Sequence, residues 1–127
     1  MKRDMELIRK ILFKIEEEVD NLVVFDLEIE EYSMDQVAYH CDLLYNGGFL
    51  KDYKGIYSCD GLDDFGVSGL TWVGHELLDD IRSDTVWNKT KETIKTKGLP
   101  MAVDVIKDIA KATINVMTQA AIKGIMN

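Results

Sequence analysis

Residues 33–50, SMDQVAYHCDLLYNGGFL, read as a helix, a glycine stop and the start of a strand. Ser33 and Gln36 have the spacing of a capping box, so the free N–H groups of the first turn find partners. Met34, Val37, Cys41 and Leu44 recur at steps of three and four, which predicts one buried face. Gly47 and Gly48 are suited to the left-handed backbone that ends a helix, and Phe49-Leu50 continue as apolar strand residues.

Working outward, Asp4 is placed to cap a helix running to about Glu18, with Met5, Ile8, Ile11, Leu12, Ile15 and Val19 as its apolar stripe. From Val23 to Glu30 the period changes to two. Val23, Phe25, Leu27 and Ile29 alternate with Val24, Asp26, Glu28 and Glu30, the pattern of a strand with one buried face. Two more strands are expected at Phe49 to Cys59 and Val67 to Trp72, joined by a turn-rich loop from Asp60 to Gly66. Leu77, Leu78 and Ile81 then mark the inner face of a helix ending near Arg82. Ser83 or Asp84 caps the next helix, Gly98 stops it, and Pro100 is expected in the first turn of a last helix. Trp72 and Trp87 are both expected in the core.

At 127 residues and 46% hydrophobic, the chain has the composition of a folded globular protein. The charged N-terminus predicts no secretory signal, and no uncharged apolar run predicts a membrane span. The expectation is a cytoplasmic protein of a bacterial host cell, with Cys41 and Cys59 as free thiols. The net charge of −8 is uneven. Residues 1–31 carry five basic and ten acidic side chains, residues 32–82 three and nine, and residues 83–127 seven and four. The N-terminal two thirds is therefore acidic and the C-terminal part mildly basic.

The order helix, strand, helix, GGFL, hairpin, GLTWVGHELLDDIR resembles a winged-helix domain. Leu70-Thr71-Trp72-Val73-Gly74-His75 is similar to the leucine-threonine-x-x-glycine turn that closes many wings and opens the next helix. MKRDMELIRKIL at residues 1–12, YHCDLLYNGGFL at 39–50 and LTWVGHELLDDIRSDTVWNKTKETI at 70–94 resemble the bacterial and phage family called domain of unknown function 2513. The resemblance covers roughly the first three quarters of the chain and implies a winged-helix-like protein; with the element order it gives the expectation of an α+β, mainly helical fold, a winged-helix-like domain with its following helix over residues 1–97 and a C-terminal helical extension over 98–127. It also implies a phage or prophage setting, and it brings no catalytic residues. The chain departs from ordinary winged helices between its first helix and its reading helix, where Val23–Glu30 reads as strand instead of a second short helix.

With Val37, Cys41 and Leu44 inward, the outward face of the reading helix is Gln36, Tyr39, His40, Leu43 and Asn46. Two functions compete for it. As a DNA-binding transcriptional regulator, the chain would read bases with Gln36 and Asn46 and hold phosphates with Lys51, Lys54, Lys89, Lys91 and Lys95. Against this, Asp35 and Asp42 lie on the helix itself, and Asp60, Asp63 and Asp64 sit at the wing tip. As a non-enzymatic protein-interaction or regulatory module, the chain would use Tyr39, His40 and Leu43 as an apolar-aromatic patch, and its acidity suits a protein partner better than DNA.

No chemistry-bearing constellation is expected. His40, Cys41, Cys59 and His75 lack zinc spacing. Asp60-Gly61-Leu62-Asp63-Asp64 lacks the ligand pattern of a calcium loop. No serine carries a nucleophile motif, and there is no phosphate-binding glycine loop. No catalytic residue, cofactor, metal or small-molecule ligand is therefore assigned.

From Met101 to Met126 the apolar residues cover far more than one helix face, beside a narrow polar stripe of Asp104, Lys107, Asp108, Lys111, Asn115 and Gln119. Such a helix must be buried on more than one side. The expectation is that one side packs on the winged-helix body and another on a second copy, giving a homodimer or larger homo-oligomer, without membrane contact.

Overall fold

The structure is a computed structural model that describes residues 1–19 and 22–126. It is α+β and mainly helical: α1 (Met5–Glu18), β1 (Val24–Phe25), α2 (Met34–Asn46), β2 (Tyr53–Ser58), β3 (Gly61–Val67), α3 (Trp72–Ile81), α4 (Asp84–Lys97) and α5 (Val103–Met126). The chain forms two compact units, Met1–Glu76 and Leu77–Asn127, with α3 running from the first into the second.

In the first unit, Asp4 caps α1 by accepting from the amides of Glu6 and Leu7, and Met5, Leu7, Ile8, Ile11, Leu12 and Ile15 are buried. The capping box of α2 is present in both directions. The Gln36 amide donates to Ser33 Oγ at 3.2 Å, and the Ser33 amide donates to Gln36 Oε1 at 2.9 Å. At the other end, Gly48 takes φ +85°. Its amide donates to the Tyr45 carbonyl at 3.0 Å and that of Phe49 to the Leu44 carbonyl at 2.8 Å, the paired bonds of a Schellman stop. Val37, Ala38, Cys41 and Leu44 are buried against α1 and the hairpin, whereas Met34 at the first turn is 41% exposed.

The sheet has three antiparallel strands in the order β1-β3-β2. Its hairpin differs from the sequence expectation. Ser58 pairs with Gly61 across a two-residue turn at Cys59-Asp60, so the segment expected as a loop is most of β3, the central strand. Gly61, at φ +115°, supplies the backbone the tight turn needs. Beyond the strands the ladder continues through a Leu50–Leu70 bridge to the Thr71 amide, which donates to the Phe49 carbonyl.

The strand expected over Val23–Glu30 is only two residues long, and its alternation breaks at Asp26. That residue takes φ +53°. Its amide donates to the Phe65 carbonyl at 2.8 Å, and its own carboxylate accepts from the Phe65 amide at 2.9 Å. A side chain thus completes the ladder where a backbone carbonyl would have stood. The flip reverses parity: Leu27 and Ile29 are buried, while Val23 and Phe25, expected on the same face, are 48% and 64% exposed.

Thr71 opens α3. Its Oγ1 accepts from the Gly74 amide at 3.1 Å and donates to the Gly48 carbonyl at 2.5 Å. Leu77, Leu78 and Ile81 are buried as expected, but Trp72, expected in the core, is 79% exposed. It is the first helical residue after the cap.

In the second unit α4 and α5 pack together. Ser83 caps α4, and Gly98 at φ +65° ends it with the same paired amides seen at Gly48. Trp87 is buried as expected, beside Val86, Thr90 and Ile94, with the Lys91 ammonium 5.5 Å from its ring centre. Pro100 lies before α5 and not in its first turn, because the first helical bond runs from the Ile106 amide to the Ala102 carbonyl.

Candidate interaction surface

The residues expected on the outward face of α2 do not form one patch. His40 is the main correction: it is 2% exposed. Its Nε2 accepts from the Asp4 amide at 2.8 Å, so the proton resides on Nδ1, which donates to the Gln36 carbonyl at 2.7 Å. The imidazole is a polar tie between two helices and is not available to a partner. Gln36 is half-buried with its amide oxygen used in the cap, and Asn46 Nδ2 donates to Asp42 at 3.0 Å. Leu43 is half-buried. Tyr39, 37% exposed, stands edge-on to the His40 ring.

The lysines expected at phosphates fall in both units. Lys51 and Lys54 are exposed on the hairpin side of the first unit, while Lys89, Lys91 and Lys95 lie on α4 in the second. Lys91 is half-buried over Trp87.

A surface that sequence reasoning missed lies on the outer face of the sheet. Phe25 pairs with Gly66, Gly66 with Lys54, and Ile56 with Asp64, so these side chains share one face, while Phe65 and Val67 turn into the core. A Cβ built on Gly66 would stand 2.9 Å from a Val23 methyl and 3.2 Å from the Phe25 ring. The absence of that Cβ lets both side chains lie flat on the strand. Ile56 is 43% exposed beside them. Asp64 and Lys54 are the exposed charges on this face. Asp64 shares a hydrogen bond with Asp26, and this bond, followed by the Asp26 charge, raises the Asp64 carboxyl above its ordinary value. The alternation of the sequence runs unbroken through Asp26; what exchanges the faces is its left-handed backbone, which an Asx side chain tolerates.

The sign of the Asp64 effect gives a pH prediction. A carboxyl raised in the folded state contributes stability that is present below its unfolded value and lost as pH rises through the folded one. Asp64→Asn keeps a donor towards Asp26 without the second charge. It is therefore expected to be more stable than the parent near pH 7, with the gap closing by about pH 4. Urea midpoints at the two pH values check this, and a gap that widens on acidification contradicts it.

The two thiols differ in the way the fold dictates. Burial pushes the Cys41 thiol up to about 12, while Cys59 is exposed at the hairpin turn. Among the described residues no group of three or more histidine, cysteine or carboxylate side chains is arranged to hold a metal ion. No helix among them is long and apolar enough to cross a membrane.

The fold and surface together define an α+β domain with a capped helix, a three-stranded sheet and a helical extension. A family model described as "Hypothetical protein (DUF2513)" matches residues 2–100, and the chain belongs to that family, domain of unknown function 2513. It is also 39% identical over 127 residues to an uncharacterized protein of Haemophilus influenzae, an alignment covering 92% of this chain and 98% of that protein. No solved structure matches.

Proposed function

We propose that the chain is a non-enzymatic, winged-helix-like protein-interaction module of phage or prophage type, and that the outer sheet face receives a basic protein partner. One observation carries this reading: Phe25, a large aromatic side chain, is 64% exposed on a sheet face beside Val23 and Ile56. Exposed aromatic and aliphatic groups of this kind are the anchors that protein interfaces cover. Charge supplies the sign of the partner, because residues 1–76 carry seven basic and seventeen acidic side chains. The phage setting rests on the sequence resemblance.

The alternative, a DNA-binding regulator, is weaker. The Gln36 amide oxygen is occupied by its cap, His40 is buried, and Asp63 and Asp64 are exposed where a wing would meet phosphate. The test is affinity capture from host lysate with and without nuclease, using the parent chain and Phe25→Ser. The expected result is a basic protein retained after nuclease treatment and bound about tenfold or more weakly by the variant. Retention that nuclease abolishes, or that Phe25→Ser leaves unchanged, overturns the reading.

A further inference from the structure

The strand order leaves β2 at one edge of the sheet, and Phe65 shows which of its backbone groups are open. Asp26 bonds both the amide and the carbonyl of Phe65, so those two groups face β1. Gly55 lies opposite Phe65 on the other side. In an antiparallel ladder successive residues turn their backbone groups to alternate sides. Lys54 and Ile56 therefore bond β3, and the amides and carbonyls of Gly55 and Tyr57 point away from the sheet. The register shift does not disturb this, because its extra residue is Asp63 on β3. Tyr53 has the same parity, and Asp52 Oδ1 accepts its outward amide at 2.9 Å. Among the described residues nothing bonds the outward groups of Gly55 and Tyr57. An edge of this kind is what an incoming strand pairs with.

The side chains along the edge differ between its two sides. Tyr53 and Tyr57 lie on the side that Phe65 and Val67 face, and they meet over Gly55. A Cβ there would stand 2.9 Å from the Tyr53 hydroxyl and 2.8 Å from the Tyr57 ring. Burial, followed by the hydrogen bond to Tyr57, raises the Tyr53 hydroxyl above its ordinary value, and the Asp42 carboxylate adds to the shift. Tyr57 is 66% exposed and Asp42 half-buried. This side is aromatic with an anionic charge close by. The other side carries Lys54 and Ile56, both exposed.

We propose that β2 receives an extended segment of a basic partner protein as a fourth strand, with cationic side chains on the tyrosine side and apolar ones beside Ile56. Backbone bonds to Gly55 and Tyr57 hold the segment, and its alternate side chains give specificity. Charge fixes the alternation. A cation opposite Gly55 meets tyrosine rings and the Asp42 carboxylate, and both attract it. A cation on the other side meets Lys54. A second copy of β2 does not fit this pattern, because pairing through the same groups sets its Lys54 on the Lys54 side. The proposal takes the sign of the partner from the function proposed above, and it does not use Phe25.

Titration of the isotope-labelled full chain with a short synthetic peptide alternating lysine and valine decides it, read by amide NMR. The expected result is saturable shifts centred on Gly55 and Tyr57, whose amides become protected from exchange. In this register the lysine amides of the peptide face β2. N-methylation of two central lysines is expected to weaken binding about tenfold or more, and N-methylation of two central valines to leave it within about twofold. A peptide of the same composition in two blocks is expected to bind as weakly as the lysine-methylated one. Absence of saturable binding overturns the proposal, as does equal binding of the two methylated peptides or of the blocked one. Phe25→Ser is expected to bind the peptide as the parent does, so failure of the outer sheet face as an interface is read separately from failure of this edge. A peptide bound by the parent and lost by Phe25→Ser overturns the edge as its site.

Discussion

Phe65→Ala is expected to lower the unfolding free energy by ~3–5 kcal/mol, the range for truncating a buried aromatic side chain. Phe65 is fully buried on the central strand, with its ring 6.2 Å from that of Tyr53. Its backbone is held on both sides by Asp26, through the amide and the carboxylate. The strand therefore cannot shift to fill the space, and the cavity term is retained in full. Such a loss is a large fraction of the ~5–15 kcal/mol that stabilises ordinary domains. Phe25→Ala, the same chemical change one strand away, removes a side chain that is mostly in water and is expected to cost about 0.5 kcal/mol or less. Urea unfolding of the two variants reads the register directly. If Phe25→Ala were the more damaging, the sheet would have to be paired one residue out of register, with its faces exchanged.

Gly74→Ala is expected to destabilise by about 3 kcal/mol or more, at the upper end for forced overpacking. The sign is the informative part, because replacing glycine by alanine in a helix usually gains up to about 1 kcal/mol. A Cβ at position 74 would overlap the carbonyl oxygen of Phe49 and stand 3.1 Å from its carbonyl carbon. That carbonyl cannot swing aside as a side-chain tip would, since it accepts from the Thr71 amide, while the neighbouring Gly48 carbonyl accepts from Thr71 Oγ1. The leucine-threonine-x-x-glycine turn thus has a physical reading in this chain. Leu70 bridges to Leu50, Thr71 caps α3 and clasps the preceding loop, and Gly74 lets the two backbones touch. Thermal or urea unfolding of Gly74→Ala checks this, and an unchanged or raised midpoint contradicts the close approach.

What was legible in the sequence was what depends on neighbours a few residues away. The Ser33–Gln36 box, the glycine stops at Gly48 and Gly98, and the stripe of α1 are local chemistry, and each formed as read. Family membership was legible too, from the runs at residues 1–12, 39–50 and 70–94. The features that escaped depend on distant partners. Asp60 to Gly66 has the composition of a loop, yet pairing on both sides makes it the central strand. Phe25 alternates with its neighbours as a core residue would, but Asp26, bonded to a residue 39 positions away, turns the chain over just beyond it. Helical spacing put His40 outward, and no pattern in α2 announces the amide 36 positions earlier that its ring accepts from. The outer sheet face was invisible for the same reason, because it exists only once β1 is laid on β3.

The His40 tie bears on how the chain begins. The opening residues of most domains fray, opening and closing on their own without disturbing the rest. Asp4 is denied that independence. Its amide is bonded to the His40 ring, one carboxylate oxygen holds the first turn of α1, and the other accepts from the Tyr32 hydroxyl at 3.3 Å. Three segments of the chain meet at this one residue, so its amide loses protection only when α1 and α2 part. The Asp4 amide is therefore expected to exchange with the cooperative part of its unit instead of with a loose margin.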